Sequence, residues 1–335
     1  MRPVPRTLVA WVKCMIRRVT LPGVGFQSSC IGFGCASLGS RISPRQGLQA
    51  LERAYDTGVT WYDVAPAYGA GEAEGLIGQF IANKRDKVIV CTKVGLAPPN
   101  RNSLMKAIYT VARPAAAMAK GLRKAFRKMP STRNQKMELT ADLIETSMTR
   151  SLTRLKSDYV DVFALHDPDP AEVTRHEVLM ALEKLVTSGK ARSLSVAGKA
   201  PACLAGAPLL PYGIFQTADD PADNVLERLR AAAGRPIGTV THSVLGIDGM
   251  RDRFIEKILV HAGAQKRMAR AGYEGAVEKM AAELLLDRAF ASNPDGVVLM
   301  SMFAERHLAA NVLRASLDTK PETLSLVRDI LSPSL

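Results

Sequence analysis

Eight strand–helix units in succession predict an α/β fold whose parallel sheet closes into a (β/α)8 barrel. Three observations carry this expectation. Short apolar runs alternate with segments of helical periodicity, and such alternation means βαβ units and a parallel sheet. The runs number eight, the count that closes a barrel, and 335 residues suit its length. The rival, a doubly wound sheet, wants a G-x-G-x-x-G turn after its first strand. The glycines of "GFGCASLG" do not have that spacing.

The first run is "SSCIGFG" (28–34). Ser43-Pro44-Arg45-Gln46 then supplies an N-cap, a proline at the first helical position and a glutamine to close a capping box. Leu48, Leu51 and Tyr55 share one helical face, and Gly58 ends the helix. "VTWYD" (59–63) is the second strand, followed by the helical "AEGLIGQFIANK". "KVIVCTK" (87–93) is the continuous apolar run of a strand covered on both faces. Ile144, Met148, Leu152 and Leu155 recur at helical spacing before the fourth strand, "YVDVFALH" (159–166). A helix over 176–188 ends at Gly189, ahead of "ARSLSVAG". "YGIFQTA", a helix over 222–233 and "PIGTVTHSVLG" follow. A long helix over 272–290, "DGVVLMSMF" and "RHLAANVLRAS" close the series. Two connections are longer than the rest, one between strands three and four and one between strands seven and eight.

Apolar residues make up 47% of the chain, which supports a sizeable core and argues against wholesale disorder. The five cysteines (Cys14, Cys30, Cys35, Cys91, Cys203) form no C-x-x-C pair. That spacing argues against a disulfide framework or zinc site and for a reducing, cytoplasmic compartment. No uncharged apolar run reaches the roughly 18 residues of a spanning helix. The opening "MRPVPRTLVAWVKCMIRRV" has the look of a secretory signal, but Lys13 interrupts its apolar stretch and no small-residue cleavage site follows. It reads as a basic extension over 1–19, ahead of one barrel domain over 20–335.

The net charge of +13 is concentrated in two places. Residues 1–19 hold five basic residues and residues 101–137 hold ten, with no acid in either, so the rest of the chain carries −2. A nearly neutral body without an aromatic-interleaved basic stripe argues against a nucleic-acid partner. Within 101–137, Leu104, Ile108, Val111, Ala115, Met118, Leu122, Phe126 and Met129 recur every three or four residues, and Lys106, Arg113, Lys120 and Arg127 every seven. That spacing predicts a basic amphipathic helix or helix pair, bent at Pro114. Following strand three, this insert is expected on the catalytic face, as a surface helix, a lid or a contact with an anionic membrane surface. A cationic insert there favours an anionic substrate.

Chemistry in such a barrel sits at the C-terminal ends of the strands. Asp63 ends strand two, Lys93 strand three and His166 strand four, and Tyr68 lies just after strand two. A tyrosine is a poor acid at neutral pH; a nearby cation favours the tyrosinate and lowers its pKa. Lys93 is placed to be that cation, and Asp63 to pair with it, because an unpaired charge in a cleft is costly. His166 is placed to orient and polarise a carbonyl while Tyr68 protonates its oxygen and hydride reaches its carbon.

"WYDVAPAYGAGEAEGLIG", "VIVCTKVG" and "SLTRLKSDYVDVFALHDPDP" resemble the aldo-keto reductases, over most of residues 20–315. The resemblance implies a (β/α)8 barrel and NADPH-dependent reduction of a small aldehyde or ketone, with NADH as the alternative cofactor. It places the family's Asp-Tyr-Lys-His tetrad on Asp63, Tyr68, Lys93 and His166. Gln216 resembles the glutamine that holds the nicotinamide amide. "THSVLG" resembles Tyr-Ser-x-Leu-Gly, which puts Ser243 and Leu245 at the cofactor and His242 where an aromatic normally stacks on nicotinamide. Ala197-Gly198 stands where the family usually has Ser-Asn. "SMFAERHLAAN" resembles the loop that holds the adenosine phosphate, with Ser301, Arg306, His307 and Asn311 as its contacts. Two other readings stay open: a nucleotide-binding regulatory or scaffold barrel with little turnover, and a protein whose basic segments contact an anionic membrane or partner.

Overall fold

The computed structural model describes residues 16–98, 134–246, 249–261 and 263–332. Eight strands close a barrel: β1 (Ile31–Gly34), β2 (Trp61–Asp63), β3 (Ile89–Val94), β4 (Val160–His166), β5 (Ala191–Ala197), β6 (Tyr212–Ala218), β7 (Gly238–His242) and β8 (Val297–Met300). Each pairs in parallel with the next, and β8 returns to β1. Parallel strands covered on both faces are continuously apolar rather than alternating, and every residue of β2 and β3 is buried.

Register decides what faces the barrel axis. Gly34 pairs with Asp63, Asp63 with Cys91, Lys93 with Ala164, and His166 with Ala197. Successive side chains alternate between faces, so Cys91 and Lys93 share one face of β3. Around the barrel lie α1 (Pro44–Asp56), α2 (Ala73–Ile81), α3 (Ala141–Leu155), α4 (His176–Thr187), α5 (Ala200–Gly206), α6 (Val225–Ala233), α7 (Met250–Val260), α8 (Ala264–Arg270), α9 (Val277–Ser292), α10 (Glu305–Ala315) and α11 (Glu322–Leu331). The capping box expected for α1 forms: the Ser43 side chain accepts from the Gln46 backbone N–H, and the Gln46 side chain accepts from that of Ser43. Gly58 follows the helix at φ +95° and donates its N–H to Tyr55 O at 2.9 Å.

The structure departs from the sequence reading in four places. The run 28–34 is two strands: Gln27–Ser29 pairs antiparallel with Arg18–Thr20, and only Ile31–Gly34 enters the barrel. Residues 16–19, read as part of the extension, belong to that hairpin. Ile16 and Val19 are buried, and Arg17 N–H donates to Ala315 O at 3.1 Å. The long connection before β8 folds into α7, α8 and α9, and α11 follows the end of the expected series. Most of the basic insert, like residues 1–15, lies outside the described residues. Its flanks are described: Leu96–Ala97 pairs antiparallel with Gln135–Lys136 directly after β3, and Lys136 reaches Asp169 at 2.5 Å and Glu172 at 3.0 Å beyond β4. Among the described residues no helix is long and apolar enough to cross a membrane.

Candidate active site

The C-terminal end of the barrel brings three of the sequence-selected residues together on adjacent strands. Lys93 Nζ lies 2.5 Å from Asp63 Oδ1 and donates to Val64 O at 3.2 Å. Both partners are buried, Lys93 to 1% and Asp63 to 2% exposure. An ammonium has three donors, so one N–H remains on the side where Tyr68 sits, with its ring centroid 5.2 Å from Nζ. His166 closes the set, edge-on to the Tyr68 ring at 5.7 Å between centroids.

The Tyr68 turn is fixed by its glycine. Gly69 adopts φ +61°, and a Cβ there would lie 2.2 Å from Leu38 O. Only glycine allows that approach, and it places the tyrosine against the loop after β1. Ala70 takes the same left-handed conformation at φ +59°. Tyr68 N–H donates to Ala65 O at 3.0 Å, so the chain turns tightly between the strand end and the phenol.

Electrostatics correct one expectation. Burial pushes the Tyr68 hydroxyl up to about 12, more than the Lys93 charge pulls it down. The phenol is therefore protonated at neutral pH, and Lys93 only moderates the cost of its ionisation. Burial also disfavours charge on Lys93, but the Asp63 carboxylate, followed by Tyr68 and Cys91, more than offsets it and holds the ammonium protonated. Burial, then the Lys93 charge and His242, press His166 down to about 3. Its imidazole is neutral, and Nδ1 is buried with no hydrogen-bond partner.

Sequence reasoning missed the two thiols beside this set. Cys35 donates its backbone N–H to Asp63 O at 2.9 Å, and Cys91 faces Asp63 across the β2–β3 pairing. Both are buried, and burial, reinforced by Asp63, holds both thiols well above their ordinary pKa. The signal for Cys91 was present, since it lies two residues before Lys93 on one strand face. It also missed the buried Arg288–Asp219 pair at 2.5 Å, which ties the loop after β6 to α9. No sequence signal joins residues 69 positions apart.

The residues expected at a cofactor are placed differently. Gln216 is buried in β6, in register with Ala197 and Val240. His242 ends β7, and its Nδ1 lies 2.8 Å from Ser243 Oγ. Ser243 takes φ +64°, where non-glycine residues are uncommon, and Leu245 packs against the core. Ser301, Arg306 and His307 are exposed, whereas Asn311 is buried. At Gly198 a Cβ would sit 3.3 Å from Asp167 Cα and Pro168 Cδ, so the turn after β4 crowds the position where the family usually carries asparagine. The chemistry of these donors fits a nicotinamide dinucleotide. Gln216 offers an amide on the barrel face of the mouth, and α10 begins at Ala304 with no side-chain cap, leaving N–H groups for an anion beside Arg306.

The fold is a closed parallel barrel with four ionisable side chains at its C-terminal mouth. The model of the Aldo/keto reductase family matches residues 30–211, more than half of the chain, and this protein belongs to that family. Aldo-keto reductase YhdN of Bacillus subtilis is 29% identical over 183 residues, covering 53% of this chain and 45% of the relative. D-threo-aldose 1-dehydrogenase of a Pseudomonas species is 28% identical over 179 residues, covering 51% and 50%. The chain thus spans about half the length of these curated relatives. An aldo-keto reductase from Klebsiella pneumoniae, solved in complex with NADPH, superposes with a TM-score of 0.62 at 20% identity, covering 95% of this chain and 96% of that one. At that identity the likeness is one of fold.

Proposed function

We propose that the protein is an NADPH-dependent carbonyl reductase in which Tyr68 donates the proton. The observation that carries this reading is the buried Lys93–Asp63 pair set against the Tyr68 ring, with a neutral imidazole on the next strand. A nicotinamide cofactor, when bound, supplies the hydride. The carbonyl oxygen would approach Tyr68 and His166. A neutral imidazole presents one N–H, which suits a carbonyl without adding charge. As negative charge develops on that oxygen, the Tyr68 proton moves to it. Lys93, kept cationic by Asp63, stabilises the resulting phenolate. Asp63 is a positioning residue: it keeps the ammonium charged in a buried site. Gln216 would hold the carboxamide, and Arg306 with the start of α10 would take the 2′-phosphate. NADPH in the Klebsiella neighbour and aldose oxidation in the name of the Pseudomonas relative support this chemistry.

The basic segment between residues 98 and 134 belongs to this proposal as a source of positive potential at the mouth, because its flanks pair directly after β3. In cells, the proposal places the enzyme in the cytoplasm.

The test is NADPH oxidation followed at a panel of aldehydes and ketones, with Tyr68→Phe alongside. Loss of the general acid should lower kcat by about 10²–10⁴-fold, while NADPH affinity stays within a few-fold. Full kcat in Tyr68→Phe would end the proton-donor assignment. Tight cofactor binding with no turnover on any carbonyl would favour the scaffold reading.

A further inference from the structure

β7 ends on an imidazole that proton donation by Tyr68 does not use. His242 is held from two sides: its carbonyl accepts from Asp219 N–H at 2.8 Å, and its Nδ1 meets Ser243 Oγ at 2.8 Å. Its register with Ala218 puts it two residues beyond the Gln216–Val240 pair, on the same strand face and at the mouth. The side chain is half-buried at the end of the strand.

Hydride transfer places a further demand on this space. The nicotinamide ring must reach a carbon whose oxygen Tyr68 protonates, so it occupies the mouth that His242 borders. The oxidised ring carries a positive charge and the reduced ring carries none. An imidazolium in a partly desolvated mouth opposes the first and not the second, because charges there are weakly screened. A neutral imidazole opposes neither.

We propose that His242 makes the choice between oxidised and reduced nicotinamide cofactor depend on protonation, with acid disfavouring the oxidised form. The proposal rests on the carbonyl-reductase reading and extends it. Burial holds the His242 pKa below its ordinary value; Asp63 pulls it up and Lys93 pulls it down. The imidazole is therefore neutral at pH 7 and takes up its proton only below the ordinary histidine range. Apart from Asp219, the groups around it do not titrate in that window or do not discriminate. Asp63 and Lys93 are paired. Tyr68 stays protonated up to about 12 and His166 stays neutral down to about 3. Asp219 is paired with Arg288, yet burial outweighs that partner and raises its carboxyl. Arg306, His307 and the cofactor's own 2′-phosphate act on both oxidation states alike. The His242 variants, rather than the wild-type ratio alone, therefore isolate this imidazole from Asp219.

The experiment is titration of the full chain with NADP⁺ and with NADPH, by tryptophan fluorescence or calorimetry, from about pH 8 down to the lowest pH at which the fold persists. By linkage, the ratio Kd(NADP⁺)/Kd(NADPH) should rise at least about threefold toward the acid end. His242→Phe and His242→Gln should each hold it constant. A constant ratio in the wild type overturns the inference, and so does a rise that survives in both variants. If neither cofactor binds at pH 8, the parent reading is lost and this inference with it.

Discussion

The two sides of the barrel mouth are built on different principles. On the β2–β4 side, Asp63, Lys93 and His166 issue from three adjacent strands, and the charged pair is at most 2% exposed. On the β6–β8 side, Ser301, Arg306 and His307 are exposed, and of the expected cofactor residues only Gln216 and Asn311 are buried. The family match covers residues 30–211, which contains the whole first side and stops short of Gln216. The difference teaches where sequence is constrained. A buried ion pair tolerates no substitution of one partner, because the other is left charged and unpaired. An exposed contact to a phosphate can be made by several residue types or by backbone N–H groups.

The comparison breaks most sharply at Lys93. Lys93→Met leaves the Asp63 carboxylate buried without its partner and should destabilise the fold by about 3–5 kcal/mol. Chemical denaturation would measure it, and Asp63→Leu added to Lys93→Met should recover much of the loss while activity stays absent. A Lys93→Met protein of wild-type stability would mean that the pair carries no burial cost. No single residue on the exposed side should match this effect.

His166 gives the next largest effect and a pH signature. Its folded pKa of about 3 lies below the unfolded value near 6.5, so between those limits the unfolded chain binds the extra proton. Stability should therefore be complete above about pH 6.5 and fall as pH drops, by at most about 1.4 kcal/mol per unit from this group. His166→Gln should flatten that part of the acid limb. An acid limb identical in His166→Gln would show that the imidazole is already charged in the fold.

On the exposed side, Arg306→Ala should weaken NADPH binding by about 1–3 kcal/mol, the scale of a charge-assisted hydrogen bond. NADH binding should barely change. Equal losses for both cofactors would leave Arg306 with a structural role and remove the phosphate contact.

What the sequence made legible follows the same division. Asp63, Lys93 and His166 could be read because each is a charged or polar residue ending an apolar run, and burial next to a charge restricts the residue type. The sign of the Tyr68 shift could not be read. It depends on how far burial outweighs one cation, and a charge count contains no burial. The break at Ser29–Cys30 was hidden because no glycine, proline or charge interrupts "SSCI": Cys30 N–H turns to Arg17 O at 2.9 Å, while its carbonyl accepts from Val298 N–H at 2.9 Å. The bottom hairpin therefore takes the first part of the run and β8 takes the second. On the cofactor side, Gly198 became intelligible only with the Asp167–Pro168 turn in place.

The smallest expected effect concerns the basic segment, which joins the two principles. Its flanks are pinned on the catalytic side: Gly95, at φ +118°, has His166 O 3.0 Å from where a Cβ would be, and Met137 N–H donates to Gly95 O at 2.8 Å. The pairs Lys136–Asp169 and Lys136–Glu172 hold the return strand to the turn beyond His166, although the exposed Lys136–Asp169 pair is worth at most about 1 kcal/mol. The positive charge between these flanks should act on the mouth through its field. Changing Lys106, Arg113, Lys120 and Arg127 to Gln should raise KM for an anionic carbonyl substrate a few-fold and leave a neutral one unchanged. Because screening at about 0.15 M salt acts beyond roughly 8 Å, the difference should shrink as salt is added. The same variant should also lose binding to anionic vesicles if the segment meets a membrane, at about 1 kcal/mol per basic residue near the surface. A KM that does not respond to charge, substrate or salt, with vesicle binding unaltered, would confine the electrostatics of this mouth to Lys93 and its immediate neighbours.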